Sequence, residues 1–123
     1  ILRPYLLMGY PKHKAEGPKM AEQMYLEFPL KPEYVEDFFE LCNSELGFAL
    51  TKKQPGFISA EWMISTSENG SKCLHLWEKW QSAQDFTAYM QTPERAPGSK
   101  FELSLREWGA GETKVYWGTA NLV

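Results

Sequence analysis

Residues 71–92, SKCLHLWEKWQSAQDFTAYMQT, decide the fold, because their hydrophobic pattern changes from the period of a strand to the period of a helix. Up to Trp80 the side chains alternate between two faces, which predicts a strand. One face carries Cys73, His75, Trp77 and Lys79, and the other carries Leu74, Leu76, Glu78 and Trp80. The strand therefore offers a substantial apolar surface on both sides.

A helix is predicted directly after this strand. Ser82, with Asp85 three residues later, is typical of a capped helix start. Phe86 and Tyr89 then recur at helical spacing, and a proline at 93 stops the helix. Because the joint is so short, it predicts that Trp80 lies beside Phe86 and Tyr89.

The other segments alternate in the same way between strand and helix patterns. Strands are predicted at 23–28, 57–66 and 114–119, and a turn at 67–70 closes a hairpin. An apolar stripe after Pro32 predicts a helix that faces the sheet and extends through Leu50 despite Gly47; it consists of Val35, Phe38, Phe39, Cys42 and Leu46. A further helix is predicted from Ser99 to Gly109.

The resulting order, β-α-β-β-α-(α)-β, predicts an α+β protein with the split βαβ of a ferredoxin-like fold and a four-stranded antiparallel sheet. Helices cover only one face of such a sheet. Either face of the strand ending at Trp80 is too apolar to remain in water. We therefore expect a homodimer in which two sheets pack face to face.

The length of 123 residues fits one domain, predicted at 21–123, preceded by an arm at 1–20. The arm is rich in proline and glycine, and we expect it to be ordered by docking Tyr5, Leu6 and Leu7 on the fold or the partner subunit.

Charge and cysteine content narrow the classes of partner. The formal net charge is -3 and there is no basic cluster, so neither nucleic acid nor an anionic membrane is an expected partner. No apolar run is long enough to span a membrane. The only two cysteines, Cys42 and Cys73, are expected to be free thiols in a reducing cytoplasm.

Two segments resemble the antibiotic biosynthesis monooxygenase superfamily of dimeric α+β barrels. They are QPGFI at 54–58 and LWEKWQSAQDF at 76–86, followed by Tyr89. The resemblance covers about residues 22–119. It implies that Trp80 lines a pocket between helices and sheet, together with Glu78 and Leu76, while His75 and Trp77 face the dimer partner.

The resemblance also implies a choice between branches of the superfamily. The heme-degrading branch uses an asparagine on the first strand and a histidine after the tryptophan, and this chain has neither, since its histidines are His13 and His75. The quinone-forming branch needs no cofactor. We therefore expect a cofactor-independent oxygenase or isomerase with a small, planar, apolar substrate, or else a non-catalytic barrel that binds a hydrophobic molecule.

Three residues are candidates for catalysis. Glu78 and Glu61 are mid-strand carboxyls that act as acids or bases if an apolar cleft raises their pKa, or else form salt bridges or face solvent. His75 is either one of two metal ligands with Cys73, too few for a zinc site, or an interior histidine. No metal is therefore expected.

The expected pocket wall is aromatic. Its residues are Trp80, Phe86, Tyr89, Leu76 and Tyr25. Side chains of this kind orient a phenolic ligand or simply fill a core, and the sequence leaves both alternatives open.

Overall fold

The computed structural model describes residues 20–121 and 123 and consists of a four-stranded sheet with helices on one side. The elements in chain order are β1 (Glu22–Leu30), a 3-10 turn (Pro32–Tyr34), α1 (Val35–Cys42), α2 (Phe48–Thr51), β2 (Phe57–Thr66), β3 (Lys72–Trp80), α3 (Ala83–Tyr89), α4 (Lys100–Trp108) and β4 (Lys114–Thr119). The strand order is β2-β3-β1-β4, and all neighbours are antiparallel. The predicted ferredoxin-like fold is confirmed. The predicted arm lies, apart from Met20, outside the described residues.

Strand alternation assigns the two faces of the sheet. In β1, Met24, Leu26 and Phe28 are buried beneath the helices, and Leu26 pairs with Leu76 of β3. A residue directly opposite on an antiparallel neighbour points to the same face. The helix-covered face of β3 is therefore the one that ends in Trp80.

The joint between β3 and α3 is as short as predicted. The Ser82 hydroxyl accepts a hydrogen bond from the Asp85 backbone N–H at 3.2 Å and so caps α3. Gly56, with φ +84°, packs against this cap, because a Cβ there would lie 2.2 Å from an Asp85 carboxylate oxygen. The Trp80 ring lies 5.6 Å from Phe86 and 5.7 Å from Tyr89, which confirms their predicted proximity.

The prediction of one continuous helix through Leu50 is wrong. The helix α1 ends at Cys42, and α2 is a separate turn of helix. Gly47 lies so close to the end of α1 that a Cβ there would be 2.2 Å from the Leu41 carbonyl oxygen. Leu46 is 48% exposed and does not continue the apolar stripe. The chain turns at 43–47 because Gly47 permits this close approach.

The other face of the sheet, which we call the open face, carries a row of rings. Tyr25 of β1 stacks on Trp77 at 5.2 Å and on Tyr116 at 5.8 Å. Tyr116 is 52% exposed, so water reaches part of this row. Among the described residues, no helix is long and apolar enough to cross a membrane.

Candidate functional site

A cavity of about 300 Å³ lies between the covered face of the sheet and the helices. Its wall is mostly apolar. Strands contribute Met24, Leu26, Phe28, Leu74 and Leu76, and helices contribute Phe38, Phe86, Tyr89 and Leu105. A few polar side chains, among them Glu78 and Arg95, interrupt this wall. An apolar cavity with a small number of convergent polar groups is the usual form of a ligand site.

Glu78 lies in this wall because strand alternation points it inward with Leu76 and Trp80. The residue is only 4% exposed. Burial raises the pKa of its carboxyl to about 7, against the lowering effects of a hydrogen bond from Trp80 and of the positive charge of Arg95. A carboxyl with such a pKa takes up or releases a proton near neutral pH.

Trp80 positions this carboxyl. Its indole Nε1–H donates to Glu78 Oε1 at 2.9 Å. The tryptophan is completely buried, with Phe57 and Phe86 edge-on to its ring, and it is absent from the described residues that line the cavity. Trp80 was predicted to line the pocket, but it lies outside the wall and fixes the direction of the Glu78 carboxyl through this hydrogen bond.

A hydroxyl pair forms another polar point of the wall. Tyr89 Oη and Thr51 Oγ1 are 2.7 Å apart, and Thr51 also donates to the Gly47 carbonyl at 3.3 Å. With the threonine proton used in this way, the tyrosine hydroxyl donates to Thr51. Burial raises the pKa of Tyr89, so its hydroxyl stays neutral at physiological pH.

Arg95 is a cavity residue that sequence reasoning missed. It lies in the loop after α3 and is only 4% exposed. Its Nη2 donates to the Leu46 carbonyl at 2.6 Å and to the Gly47 carbonyl at 3.3 Å. Its guanidinium carbon lies 5.1 Å from the centre of the Tyr89 ring and 4.0 Å from that of Phe101. No local pattern marks it, because its hydrogen-bond partners are nearly 50 residues away in the chain.

The predicted site residues divide between the two faces of the sheet. Glu78, Leu76, Phe86 and Tyr89 all line the cavity. Tyr25, predicted to be with them, lies on the open face, because it alternates with the inward-facing side chains of β1.

The other two catalytic candidates also lie away from the cavity. Glu61 is exposed and pairs with Trp77 of the open face. His75 bonds to Tyr25 Oη through Nδ1 at 2.8 Å and to Ser65 Oγ through Nε2 at 2.9 Å. Between residues 20 and 121, no three His, Cys, Asp or Glu side chains are grouped as a metal site.

The profile of the antibiotic biosynthesis monooxygenase family matches residues 24–96, more than half of the chain. The chain belongs to this family. The match begins at Met24 in β1, ends in the loop that carries Arg95, and includes Glu78. A comparison with curated protein sequences found no match.

Solved structures show that the fold itself is shared with other proteins. A conserved protein from Methanosarcina mazei Go1 has a TM-score of 0.61 at 21% identity, covering 81% of this chain and 92% of its own. A monooxygenase of Streptomyces coelicolor in complex with nanaomycin D has a TM-score of 0.57 at 20% identity, covering 87% and 93%. SnoaB, a cofactor-independent oxygenase from Streptomyces nogalater, has a TM-score of 0.60 at 17% identity, covering 85% and 96%.

Proposed function

We propose that this family member is a cofactor-independent monooxygenase that acts on a small, planar, largely apolar molecule bound in the cavity. The observation that carries the proposal is the buried Glu78 carboxyl in the apolar wall, whose pKa of about 7 suits proton transfer at neutral pH. Trp80 holds the carboxyl in place.

The dimensions of the cavity support a substrate of two or three fused rings. Its volume of about 300 Å³ is at the lower end of the range of small-molecule pockets, roughly 300–1,000 Å³. Rings such as Phe86 and Tyr89 in its wall favour stacked or edge-on contact with a flat ligand. The Streptomyces coelicolor neighbour was solved with nanaomycin D, a small-molecule ligand.

The reaction begins with Glu78 as a general base. Its carboxylate takes a proton from an activated C–H of the substrate and leaves a carbanion stabilised by the aromatic rings of the substrate. Dioxygen accepts electrons from this carbanion and forms a C–O bond at the same carbon. A ring CH2 thus becomes a carbonyl, one oxygen atom stays in the product and the other leaves as water. Electrons and atoms balance without a metal or nucleotide cofactor.

Oxygen uptake tests the proposal. With an anthrone as probe, we expect one dioxygen consumed for each quinone formed, and uptake at least about 100-fold slower in Glu78→Gln, as is typical on loss of an acid–base group. Glu61→Gln, an exposed glutamate on β2, is the matched control and should keep parent activity. If the anthrone binds and uptake does not exceed that of buffer, the protein is a binding barrel and the oxygenase assignment is wrong.

We also infer a homodimer formed through the open face. The supporting observation is the row of rings there, since Tyr116 and Met63 are each half exposed on a sheet face that no helix of the described residues covers. A second copy of this face covers these side chains with a surface of the same kind. A cytoplasmic location remains our proposal, supported by Cys42 and Cys73, which are both free thiols.

A further inference from the structure

We propose that His75 makes assembly through the open face depend on pH, so that two copies associate while its imidazole is neutral and separate when acid protonates it. The inference rests on the homodimer inferred above, because it concerns the same face of the sheet. It gives His75, which lies away from the cavity, a role in assembly.

The hydrogen bonds around His75 fix its tautomer. The Tyr25 hydroxyl donates to Glu27 Oε2 at 2.8 Å, so its oxygen is an acceptor toward the imidazole. His75 Nδ1, 2.8 Å from this oxygen, therefore carries a proton. In the neutral ring Nε2 is then an acceptor, and the Ser65 hydroxyl, 2.9 Å away, donates to it. Each of these groups has a partner while the ring carries no charge.

A second proton on the ring reverses the bond to Ser65. Nε2–H becomes a donor, so the serine oxygen must accept from it and the serine proton must go elsewhere. Among the described residues, its other acceptor is the Cys73 carbonyl, at 3.4 Å. That distance is long for a hydrogen bond from a hydroxyl. The hydrogen bonds of this cluster therefore favour the neutral imidazole.

The charged side chains on the open face of the strands balance one another while His75 is neutral. Glu27 lies opposite His75 on one side and opposite Lys114 on the other. Glu61 of β2 and Lys79 of β3 follow the same alternation. The described strands thus place two carboxylates and two ammonium groups on this face. A proton on His75 leaves each copy with an excess of positive charge.

Two weakly acidic groups beside His75 remain neutral in the range where an imidazole titrates. Burial raises the pKa of the Tyr25 hydroxyl to about 12 and also raises the pKa of the Cys73 thiol. Tyr116 lies on the far side of Tyr25, one strand further from His75. Imidazole is the side chain that ordinarily changes its charge between pH 5 and 8. Proton uptake by this cluster in that range therefore falls on His75.

Association brings the two imidazoles into one interface. In an isologous dimer the same surface lies on both subunits, so each copy contributes its own His75. An excess positive charge on each subunit loses water on association and meets a like charge. Proton binding to His75 and association of the subunits therefore oppose each other, and each weakens the other by the same factor.

Subunit exchange tests the inference. One preparation is labelled at the N-terminal amine with a donor dye and another with an acceptor dye, and energy transfer appears as dimers dissociate and reassort. We expect exchange to be about 100-fold faster at pH 5.5 than at pH 8, tenfold for each imidazole, because desolvation of a charge has at least this effect and affinity changes appear mainly in the dissociation rate. Equal rates at the two pH values, or an acceleration that begins only below pH 5, where carboxylates titrate, would overturn the inference.

Two histidine variants assign the effect. His75→Asn keeps an N–H donor for Tyr25 and removes the titrating ring, so its exchange rate should be the same at both pH values. His13→Asn is the matched control, because His13 is the only other histidine, and it should keep the acceleration. Loss of the acceleration in His13→Asn would overturn the inference. If His75→Asn does not fold, an acceleration that persists in His13→Asn still assigns the effect, because His75 is then the only imidazole left.

The dimer and its pH dependence fail separately. No energy transfer at pH 8, even after the two labelled preparations are refolded together from urea, would remove the dimer and this inference with it. Energy transfer with an exchange rate that does not depend on pH leaves the dimer and removes the role of His75. Loss of far-UV circular dichroism at pH 5.5 would mean that acid unfolds the chain, which also overturns the inference. The oxygenase proposal is decided independently, by oxygen uptake.

Discussion

Replacing Glu78 with glutamine should make the stability of the protein less dependent on pH. The pKa of this carboxyl is about 7 in the folded protein and 4.5 in the absence of burial. Between these two values the folded state holds one proton more than the unfolded state, so the free energy of unfolding falls as pH rises. A pKa difference of this size lowers the free energy of unfolding by about 3 kcal/mol between pH 4 and pH 8.

The assay is urea unfolding of the parent and of Glu78→Gln at pH 4 and at pH 8. Taking the difference between the two proteins at each pH cancels every other titrating group. We expect the unfolding free energy of the variant, relative to that of the parent, to be about 3 kcal/mol higher at pH 8 than at pH 4. The glutamine oxygen still accepts from Trp80, so the hydrogen bond is kept. A difference that is the same at both pH values would show that Glu78 is not buried as a protonated acid.

Three further changes test other parts of the structure. Trp80→Phe removes the hydrogen-bond donor that lowers the pKa of Glu78, so the pH midpoint of the stability loss should move above 7. The lost hydrogen bond should lower the free energy of unfolding by about 1 kcal/mol. An unmoved midpoint argues against this hydrogen bond. Gly47→Ala places a methyl group against the Leu41 carbonyl and should cost about 1–3 kcal/mol in urea unfolding, and no loss would contradict the close approach. Trp77→Asp puts a charge on the open face, and light scattering should show a dimer for the parent and a monomer for the variant; a monomeric parent rules out the proposed assembly.

The fold followed from local patterns because each strand and cap depends on residues near one another in the chain. Alternation in β3 assigned Trp80 and Glu78 to one face, and Ser82 marked the start of α3. Tyr25 and Met24 are consecutive residues of β1, so their side chains point to opposite faces of the sheet. The position of Tyr25 on the open face was therefore already implied by the sequence.

The rest depended on contacts between distant segments. The apolar stripe after Pro32 predicted a longer helix. The close approach of Gly47 to the end of α1 stops that helix, and the spacing of apolar residues does not reveal this contact. Arg95 is a basic residue in a polar loop, and such residues are usually solvated. Only the three-dimensional structure shows that its partners are the carbonyls of the turn at 43–47.

The hydrogen bond between Trp80 and Glu78 gives the protein an internal optical probe. An indole whose N–H is bonded to a carboxylate experiences a local electric field that differs from the field of one bonded to a neutral acid. Emission from Trp80 therefore changes when Glu78 gains or loses its proton. Stopped-flow fluorescence, with a Trp80→Phe subtraction to remove the other four tryptophans, follows the arrival of a proton at Glu78 in real time without any attached dye.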